Sequence, residues 1–568
     1  MKRRSRNSTS GISLVSSLPV NDELDGLTSD SGSDSEFVPH DDDSDSSSSS
    51  DSSEEEADLS GVAEGFYSGK DGTQWAFQPP QISRVPQRNI LRGPLKKVVN
   101  ADHVTKEVHA FNLLIAETLI KDIVECTNLE GKRMYDEKGK KWKDTDVVEI
   151  SALVGMLRTL GHQKQNMVNR EVLWTKSYGI PLIRAAMSRG RFKELLIFLR
   201  FDDKSTRSAR KEKDKFAPFR DVWEKFHSCL GRHYIPGTNL TVDEQLVPFR
   251  GRCSFIQYMP MKPDKYGIKL FWIVDSDSFY PLKCIPYVGK EGHNRQVGLG
   301  RQITLDLCRP FFQSNRNITA DNFFVDLHLA KELLSNGLTL IGTVRQNKRF
   351  LPTDFTAKTG RQLHDSTFGF NDKTTIVSYQ CKKRKCVTVL STMHNDKEVD
   401  QSAKKKPEII LFYNATKGGV DTMDHMAHKY TTKRKTKRWP LVMFFNMLDI
   451  AGLAAYVIWK TKYPAWKVSN YDRRRAYLQA VAEDLIRPQI ERRRANPVGL
   501  SRDIQQDIRC VLPDGAPQDT EEDPVKRRRC CICDSKKDRK TKLVCSKCYR
   551  NVCKEHSSST IVCDDCKE

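Results

Sequence analysis

The sequence predicts a mixed α/β fold in which a central sheet is bracketed by helical segments and followed by a small metal-stabilised module. Three observations carry this. Apolar residues recur at helical spacing over residues 105–238, β-rich runs separated by turn signals occupy 239–345 and resume at 406, and eight cysteines crowd into the last 39 residues. At 568 residues the chain exceeds what one core supports, so several domains are expected.

Residues 1–104 are expected to be disordered. Their core, DDDSDSSSSSDSSEEEAD, has too little apolar surface to offset the entropy of ordering. Its serines flanked by acids suit phosphorylation or competition with a polyanion for a basic surface, and equally a passive solubilising tail. Residues 105–238 read as a helical bundle: VTKEVHAFNLLIAETLIKDIVECTNLEG, DVVEISALVGMLRTLG and SRGRFKELLIFLRF space apolar residues at three and four. LTVDEQLVPF, KYGIKLFWIVD and SFYPLKCIPYVG then read as strands. After NITADNFF come a helix, VDLHLAKELLSNG, with Gly337 as its C-terminal cap, and the strand LTLIGTVRQ. Residues 346–405 form a polar, Lys-rich inserted piece, with a hairpin of TTIVSYQ and CVTVLSTM around Lys382–Lys385. Sheet pairing resumes at EIILFYN, residues 419–430 are helical, and 431–490 return to bundle character before a linker at 491–528. LVMFFNMLDIAGLAAYVIW, residues 441–459, is apolar enough to suggest a membrane span, but Asn446 and Asp449 near its middle favour a buried core helix. A central Asp alone costs about 2.5 to 3.5 kcal/mol on insertion.

The net charge of +21 conceals an asymmetry. Residues 1–60 carry 4 Lys/Arg against 15 Asp/Glu, a balance of −11, leaving 90 against 58, or +32, on the remainder. That field concentrates polyanions and points to a nucleic-acid partner, the bland alternative being a well-solvated surface. MKRRSR is followed by no sustained apolar region, so no signal peptide is expected, and eight scattered cysteines suit free thiols in an intracellular compartment.

Four aspartates stand at strand ends or on the following helix: Asp243 in LTVDEQLVPFRG, Asp321 in NITADNFF, and Asp421 and Asp424 in YNATKGGVDTMD. Any one alone reads as a turn or capping residue. Gathered together they need a cation, since two like charges about 4 Å apart repel by about 4 kcal/mol at an effective dielectric of 20. Oxygen ligands suit magnesium or manganese, and paired ions of that kind support phosphoryl transfer. The spacing of three puts Asp421 and Asp424 on one face of a helix, and Gly418-Gly419 before them permits a sharp turn.

The tail runs CCIC (Cys530, Cys531, Cys533), CSKC (Cys545, Cys548), CKEH (Cys553, His556) and CDDC (Cys563, Cys566), the ligand set of a module for two zinc ions. In a cross-brace, Cys530, Cys533, Cys553 and His556 hold one ion and Cys545, Cys548, Cys563 and Cys566 the other, with Cys531 spare. KRRR at 526–529 and KKDRK at 536–540 form a split basic cluster suited to nuclear import or to phosphate contact. In KYTTKRKTKRWP, basic residues including Lys437 and Arg438 precede Trp439, which either stacks on an unpaired base or packs the next helix onto the bundle.

SRGRFKELLIFLRF, LTVDEQLVPFRGRC, KPDKYGIKLFWIVDS, DNFFVDLHLAKELL, IGTVRQNKR, YNATKGGVDTMD, TKRWP and the zinc tail occur in an order that closely resembles the piggyBac family of DNA transposases, from about residue 105 to the C-terminus. The resemblance implies a ribonuclease H-like catalytic domain over 239–345 and 406–430, interrupted by an insertion domain at 346–405. Helical parts at 105–238 and 431–490 would form one dimerisation and DNA-binding domain, and 529–568 a cross-brace zinc finger. It further implies magnesium at Asp243, Asp321 and Asp421, with Asp424 an additional required acid. Arg345, Lys348 and Arg349 would contact DNA, Trp439 would act near distorted TTAA bases, and the zinc module would bind terminal inverted repeats. The implied activity is excision through hairpin intermediates and integration at TTAA by a nuclear homodimer on double-stranded DNA. A transposase-derived DNA-binding protein that no longer transposes is the alternative, whereas a ubiquitin-ligase or histone-reader finger leaves 105–490 unexplained.

Overall fold

The computed structural model describes residues 65–80, 95–260, 262–289, 298–513, 528–537, 539–543, 545 and 551–558. Among the described residues the first elements are the strands β1 (Phe66–Ser68), β2 (Gln74–Ala76) and β3 (Lys97–Val98). Eight helices follow: α1 (Glu107–Asn112), α2 (Glu117–Asp136), α3 (Val147–His162), α4 (Arg170–Leu173), α5 (Pro181–Ala186), α6 (Arg189–Phe198), α7 (Arg207–Lys213) and α8 (Ala217–His233). The strands β4 (Tyr234–Ile235), β5 (Asn239–Pro248), β6 (Gln257–Tyr258), β7 (Tyr266–Asp275) and β8 (Pro281–Pro286) come next. Helix α9 (Leu299–Cys308) leads to β9 (Asn317–Ala320), α10 (Leu327–Ser335), β10 (Thr339–Thr343) and α11 (Thr353–Thr356). Then follow β11 (Ser366–Asn371), β12 (Thr374–Lys382) and β13 (Lys385–Ser391). The rest is helical, with α12 (Glu408–Thr416), α13 (Gly419–Lys429), α14 (Trp439–Lys462), α15 (Arg473–Ala495) and α16 (Arg502–Val511), up to the short pair β14 (Arg528–Arg529) and β15 (Lys540–Thr541).

One mixed sheet dominates, in the order β1-β2-β11-β12-β13-β10-β9-β5-β7-β6, with β8 also on β7. Its centre is parallel, β10 on β9 and β9 on β5, and its flanks are antiparallel. Every residue of β9 and β10 is buried, as expected of parallel strands covered on both faces. The connection between them, α10, starts on Asp326, whose carboxylate accepts the Leu329 N–H, and ends in a Schellman turn. Gly337 takes φ +68° there, as the sequence cap requires.

Helices from both ends of the sequence meet around α14. It packs on α1, α8, α13 and α15, while α15 lies along α3. This is the one helix among the described residues long and apolar enough to cross a membrane, and its residues Leu441–Trp459 are all buried in protein. Asp449 explains its polar centre: the carboxylate meets Arg158 of α3 at 3.4 Å and accepts hydrogen bonds from Thr432.

Three expectations are corrected. The segment 491–528 is not all linker, since α15 runs to Ala495 and α16 packs on α5 with Ile508 and Leu512 buried, its few apolar residues falling on one helical face. EIILFYN is helix α12, not a strand; its buried residues Ile409, Ile410, Tyr413 and Thr416 follow a helical period that a continuous apolar run conceals. Residues 1–104 are not uniformly disordered, because β1 and β2 form a hairpin joined to β11, with Trp75 fully buried. The acidic composition of the flanking segment outweighed two aromatic-rich stretches, FYS and QWAF. Residues 1–64 and 81–94 lie outside the described residues. The hairpin expected around Lys382–Lys385 is present as β12 and β13, and the segment 346–405 extends the central sheet through β13 on β10.

Candidate active site

The parallel ladder of β5 and β9 pairs Val242 with Ala320. Asp243 and Asp321 are each one residue further on, so two carboxylates emerge side by side from neighbouring strands. The face of β5 that carries Thr241, Asp243 and Gln245 turns toward α13, in keeping with the two-residue period of a strand. The contact is close: a Cβ on Gly419 would stand 2.3 Å from Thr241 Oγ1. Thr241 Oγ1 also donates to the Thr416 carbonyl at 2.7 Å, and Thr319 on β9 shares a hydroxyl contact with Thr416 at 2.8 Å. These bonds fasten the end of α12 and the start of α13 across β5 and β9, which delivers Asp421 to the same end of the sheet.

Electrostatics follow from this crowding. Burial, Glu244, Asp321 and Asp421 push the Asp243 carboxyl well above the usual range, against Lys262. Asp321 is pushed up to about 7 by burial and Glu244, although its Oδ1 accepts the Phe323 N–H at 2.9 Å. Lys262, from the turn between β6 and β7, is held protonated against its own burial by Asp243, Asp421 and Glu244, and its Nζ lies 3.4 Å from Asp421 Oδ1. Asp421 is the solvent-facing member, with a side chain 67% exposed.

Asp424 faces a different environment. Gln245 Nε2 donates to its Oδ1 at 2.6 Å, while Gln245 Oε1 accepts from Trp272 Nε1 at 2.9 Å. His428 Nδ1 lies 2.9 Å from the same carboxylate oxygen, and that partner raises the imidazole to about 9 despite its burial. Asp424 is therefore the end of an internal hydrogen-bonded chain that locks α13 against β5. Glu244, Lys262, Gln245 and His428 were not singled out from the sequence. His428 alone left a signal there, its i,i+4 spacing from Asp424.

The donor chemistry is of the kind a hard divalent cation takes, although the three carboxylates do not all come within 4.8 Å of one another in this structure and Lys262 stands among them. Asp243, Asp321 and Asp421 offer only oxygen atoms, and their repulsion is what a bound cation would relieve. Beside Asp321 opens a cavity of about 330 Å³ lined by Asn322, Phe323, Arg345, Asn347, Lys348 and Arg349. The structure thus gathers Arg345, Lys348 and Arg349 next to the acids.

The basic run before α14 is arranged otherwise than expected. Trp439 is 8% exposed, stacked on Phe216 at 5.3 Å and edge-on to Phe255, so its face is not open to a base and the packing alternative holds. Arg438 donates to the carbonyls of Leu196, Ile197 and Leu199, closing the C-terminus of α6 instead of facing solvent. Lys437 is exposed. An apolar helix start explains both corrections, since Trp439 opens α14 and the residue before it is drawn into the bundle.

In the tail, Cys530, Cys533, Cys553 and His556 bring their ligand atoms within 4.8 Å of one another, the one such group of His, Cys, Asp or Glu among the described residues. His556 Nδ1 is 3.6, 3.5 and 3.4 Å from the three sulfurs, and Cys533 and Cys553 are 3.7 Å apart. A tetrahedron with Zn–S of about 2.3 Å and Zn–N of about 2.05 Å has edges of about 3.8 and 3.6 Å, so the set fits zinc. Cys531 is exposed. Of the second set, Cys545 is described, while Cys548, Cys563 and Cys566 lie outside the described residues.

The fold is that of an α/β protein whose aspartates at one sheet end lie beside a basic cleft. Residues 106–456 match the family described as Transposase IS4, and the chain belongs to that family as a piggyBac-like member. It is similar to the chain in the cryo-EM structure of the piggyBac transposase synaptic complex with hairpin DNA, at 35% identity and a TM-score of 0.73, over 84% of this chain and 100% of that one. It is also 26% identical over 328 residues to the PiggyBac transposable element-derived protein 3 of Homo sapiens, covering 53% of each chain. The same identity and length relate it to the human chimeric ERCC6-PGBD3 protein, over 53% of this chain and 30% of that protein. The chain spans about half the length, or less, of these curated relatives.

Proposed function

We propose that this chain is a cut-and-paste DNA transposase that breaks and joins strands by metal-dependent phosphoryl transfer. The observation that carries the reading is the emergence of Asp243 and Asp321 from adjacent parallel strands, with α13 bringing Asp421 to the same sheet end. In this reading the sheet is ribonuclease H-like, and Asp243, Asp321 and Asp421 hold magnesium or manganese. Ions held there would supply Lewis-acid chemistry, activation of the attacking hydroxyl and stabilisation of the leaving oxygen. Asp424, tied to Gln245 and His428, fixes the position of α13. Arg345, Lys348 and Arg349 hold strand phosphates beside Asp321, and the zinc module, with two ions, grips the terminal repeats. The remaining elements are hairpin intermediates, TTAA targets, a homodimer and a nuclear location, which the family resemblance supports.

A second reading, a transposon-derived DNA-binding protein without transposition, draws support from the description of the human relative as transposable element-derived. One experiment separates the two. A marked element flanked by its repeats and TTAA is supplied with wild type or Asp243→Asn, and excision is scored. Excision by wild type alone is expected; equal excision by both sinks the acid assignment, and binding without excision by either favours the second reading.

A further inference from the structure

The N-terminal hairpin lies against the loop that carries Arg345, Lys348 and Arg349. Trp75 Nε1 donates to the Phe350 carbonyl at 2.9 Å, across 275 residues of sequence. The Asp71 N–H donates to the Arg349 carbonyl at 3.3 Å. At Gly69 backbone meets backbone, since a Cβ there would stand 2.6 Å from the Phe350 oxygen. Aromatic contacts reinforce the seam, Trp75 with Phe350 at 6.4 Å and Tyr67 edge-on to Phe355 at 5.2 Å. On its other side the hairpin is fixed to the sheet: Ala76 pairs with Phe370, and Asn371 Nδ2 donates to the Gln74 carbonyl at 2.7 Å.

The loop needs such support. Its own turn bonds, Lys348 N–H to Arg345 O and Leu351 N–H to Lys348 O, are both 3.2 Å long. Three cations within five residues repel one another, an effect only partly offset by Asp321 acting on Arg345 and by the hairpin's own Asp71 acting on Arg349, and that repulsion favours a loosened loop in the free protein. An external strut bonded to the backbone carbonyls of Arg349 and Phe350 opposes it without using up any guanidinium or ammonium donor.

We infer that the hairpin 66–76 is a brace that holds Arg345, Lys348 and Arg349 around the cleft beside Asp321, with Trp75 and Gly69 as its positioning residues. That these cations meet DNA phosphates rests on the functional reading above; the brace itself does not.

The test uses full-length Trp75→Phe, which removes the donor and keeps a ring, and Gly69→Ala, which forces the seam apart. Phe66→Ala, at a side chain 44% exposed, is the control. In the free protein, hydrogen exchange of amides 345–351 should accelerate about tenfold in the first two variants and not in the third, with α14 amides unchanged. Binding to terminal-repeat duplex should weaken, and its log–log salt slope should fall by about 1 to 3, each phosphate contact contributing about 0.9. The losses should be less than additive with Arg349→Ala. Unchanged exchange at 345–351 refutes the brace whatever DNA does, as does equal acceleration in α14. Faster exchange with an unchanged salt slope refutes its part in DNA contact. Wild type that fails to bind the duplex overturns the functional reading instead, and exchange still decides the brace.

Discussion

Gly419→Ala should separate activity from stability. The added methyl would stand 2.3 Å from Thr241 Oγ1 and 2.8 Å from Thr241 Cβ, against an ordinary separation of about 3.5 to 4 Å between packed atoms. Relief therefore requires the start of α13 to lift from β5 by about 1 Å, and neither side yields easily, because Thr241 is held by Thr416 and Ser276. Overpacking of this kind costs about 1 to 3 kcal/mol. Replacing a helical glycine returns about 0.5 to 1 kcal/mol, so the net loss should be about 0 to 2.5 kcal/mol and the protein should stay folded. The same displacement carries Asp421 and Asp424 away from Asp243, and a misplacement of about 1 Å at a reacting centre costs about a hundredfold in rate. Excision of a marked element, scored beside thermal unfolding, should show a drop near that size with a melting shift of a few degrees. Adding Thr241→Gly removes both clashing atoms and should recover part of the activity. Wild-type excision in Gly419→Ala, or a loss that merely follows the folded fraction, would refute the argument that this helix–strand contact sets the geometry.

Asp449→Ala should destabilise by about 3 to 5 kcal/mol in urea unfolding, because it strands the buried Arg158 charge; pairing it with Arg158→Met should cost less than the single change, and an equal cost would contradict the charge argument. Burial and the Arg475 and Arg158 charges hold His162 down to about 4, and burial does the same to His394, while both titrate near 6.5 when unfolded. Their depressed values mean that the unfolded state takes up protons first, so stability should be complete above about pH 6.5 and fall toward pH 4, by up to about 3 kcal/mol for His162. His428, raised to about 9, acts with the opposite sign, adding stability below about pH 6.5 that is lost as pH rises through 9. Because the raised Asp243 and Asp321 carboxyls act against His162 over the same range, the effect is read as the wild-type urea midpoint minus that of His162→Gln, which should fall from pH 6.5 to 4; a flat difference would count against a buried neutral imidazole. Cys530→Ser should release about one equivalent of zinc by elemental analysis and Cys531→Ser none; the reverse pattern would overturn the ligand register.

How much was legible in the sequence differed by element for physical reasons. Period and turn chemistry were enough for β12 and β13, for α10 with Gly337, and for α13, where local signals and tertiary structure agree. They were not enough for α12, because an unbroken apolar run buries equally well as a strand or a helix and only its packing on β10 and β13 decides. Composition misled at Trp75, whose partner Phe350 is remote in sequence, so an acidic neighbourhood concealed a residue that belongs to the sheet edge. Trp439 shows the converse: the basic run before it suggested an exposed ring, whereas Phe216 and Phe255 claim it for the core. The first ligand set of the tail, Cys530, Cys533, Cys553 and His556, was legible, since thiolate and imidazole ligands leave few alternatives at that spacing.

The acids lie between these cases. A strand-end aspartate is common, and nothing local to Asp243 or Asp321 distinguishes a ligand from a turn residue. What distinguishes them is register, the pairing of Val242 with Ala320, and register is a property of two strands that the intervening β7, β8 and α9 must bring together. The division between Asp421 and Asp424 is likewise tertiary. Both lie on one helix three residues apart, yet Lys262 and solvent meet Asp421 while Gln245 and His428 meet Asp424. The two acids should accordingly fail differently. Asp421→Asn should abolish excision while leaving α13 in place, whereas Asp424→Ala should also free Gln245 and His428 and loosen the helix, visible as faster exchange of amides 422–429. Similar exchange in both variants would mean that Asp424, too, acts at the reacting centre and not through the position of α13.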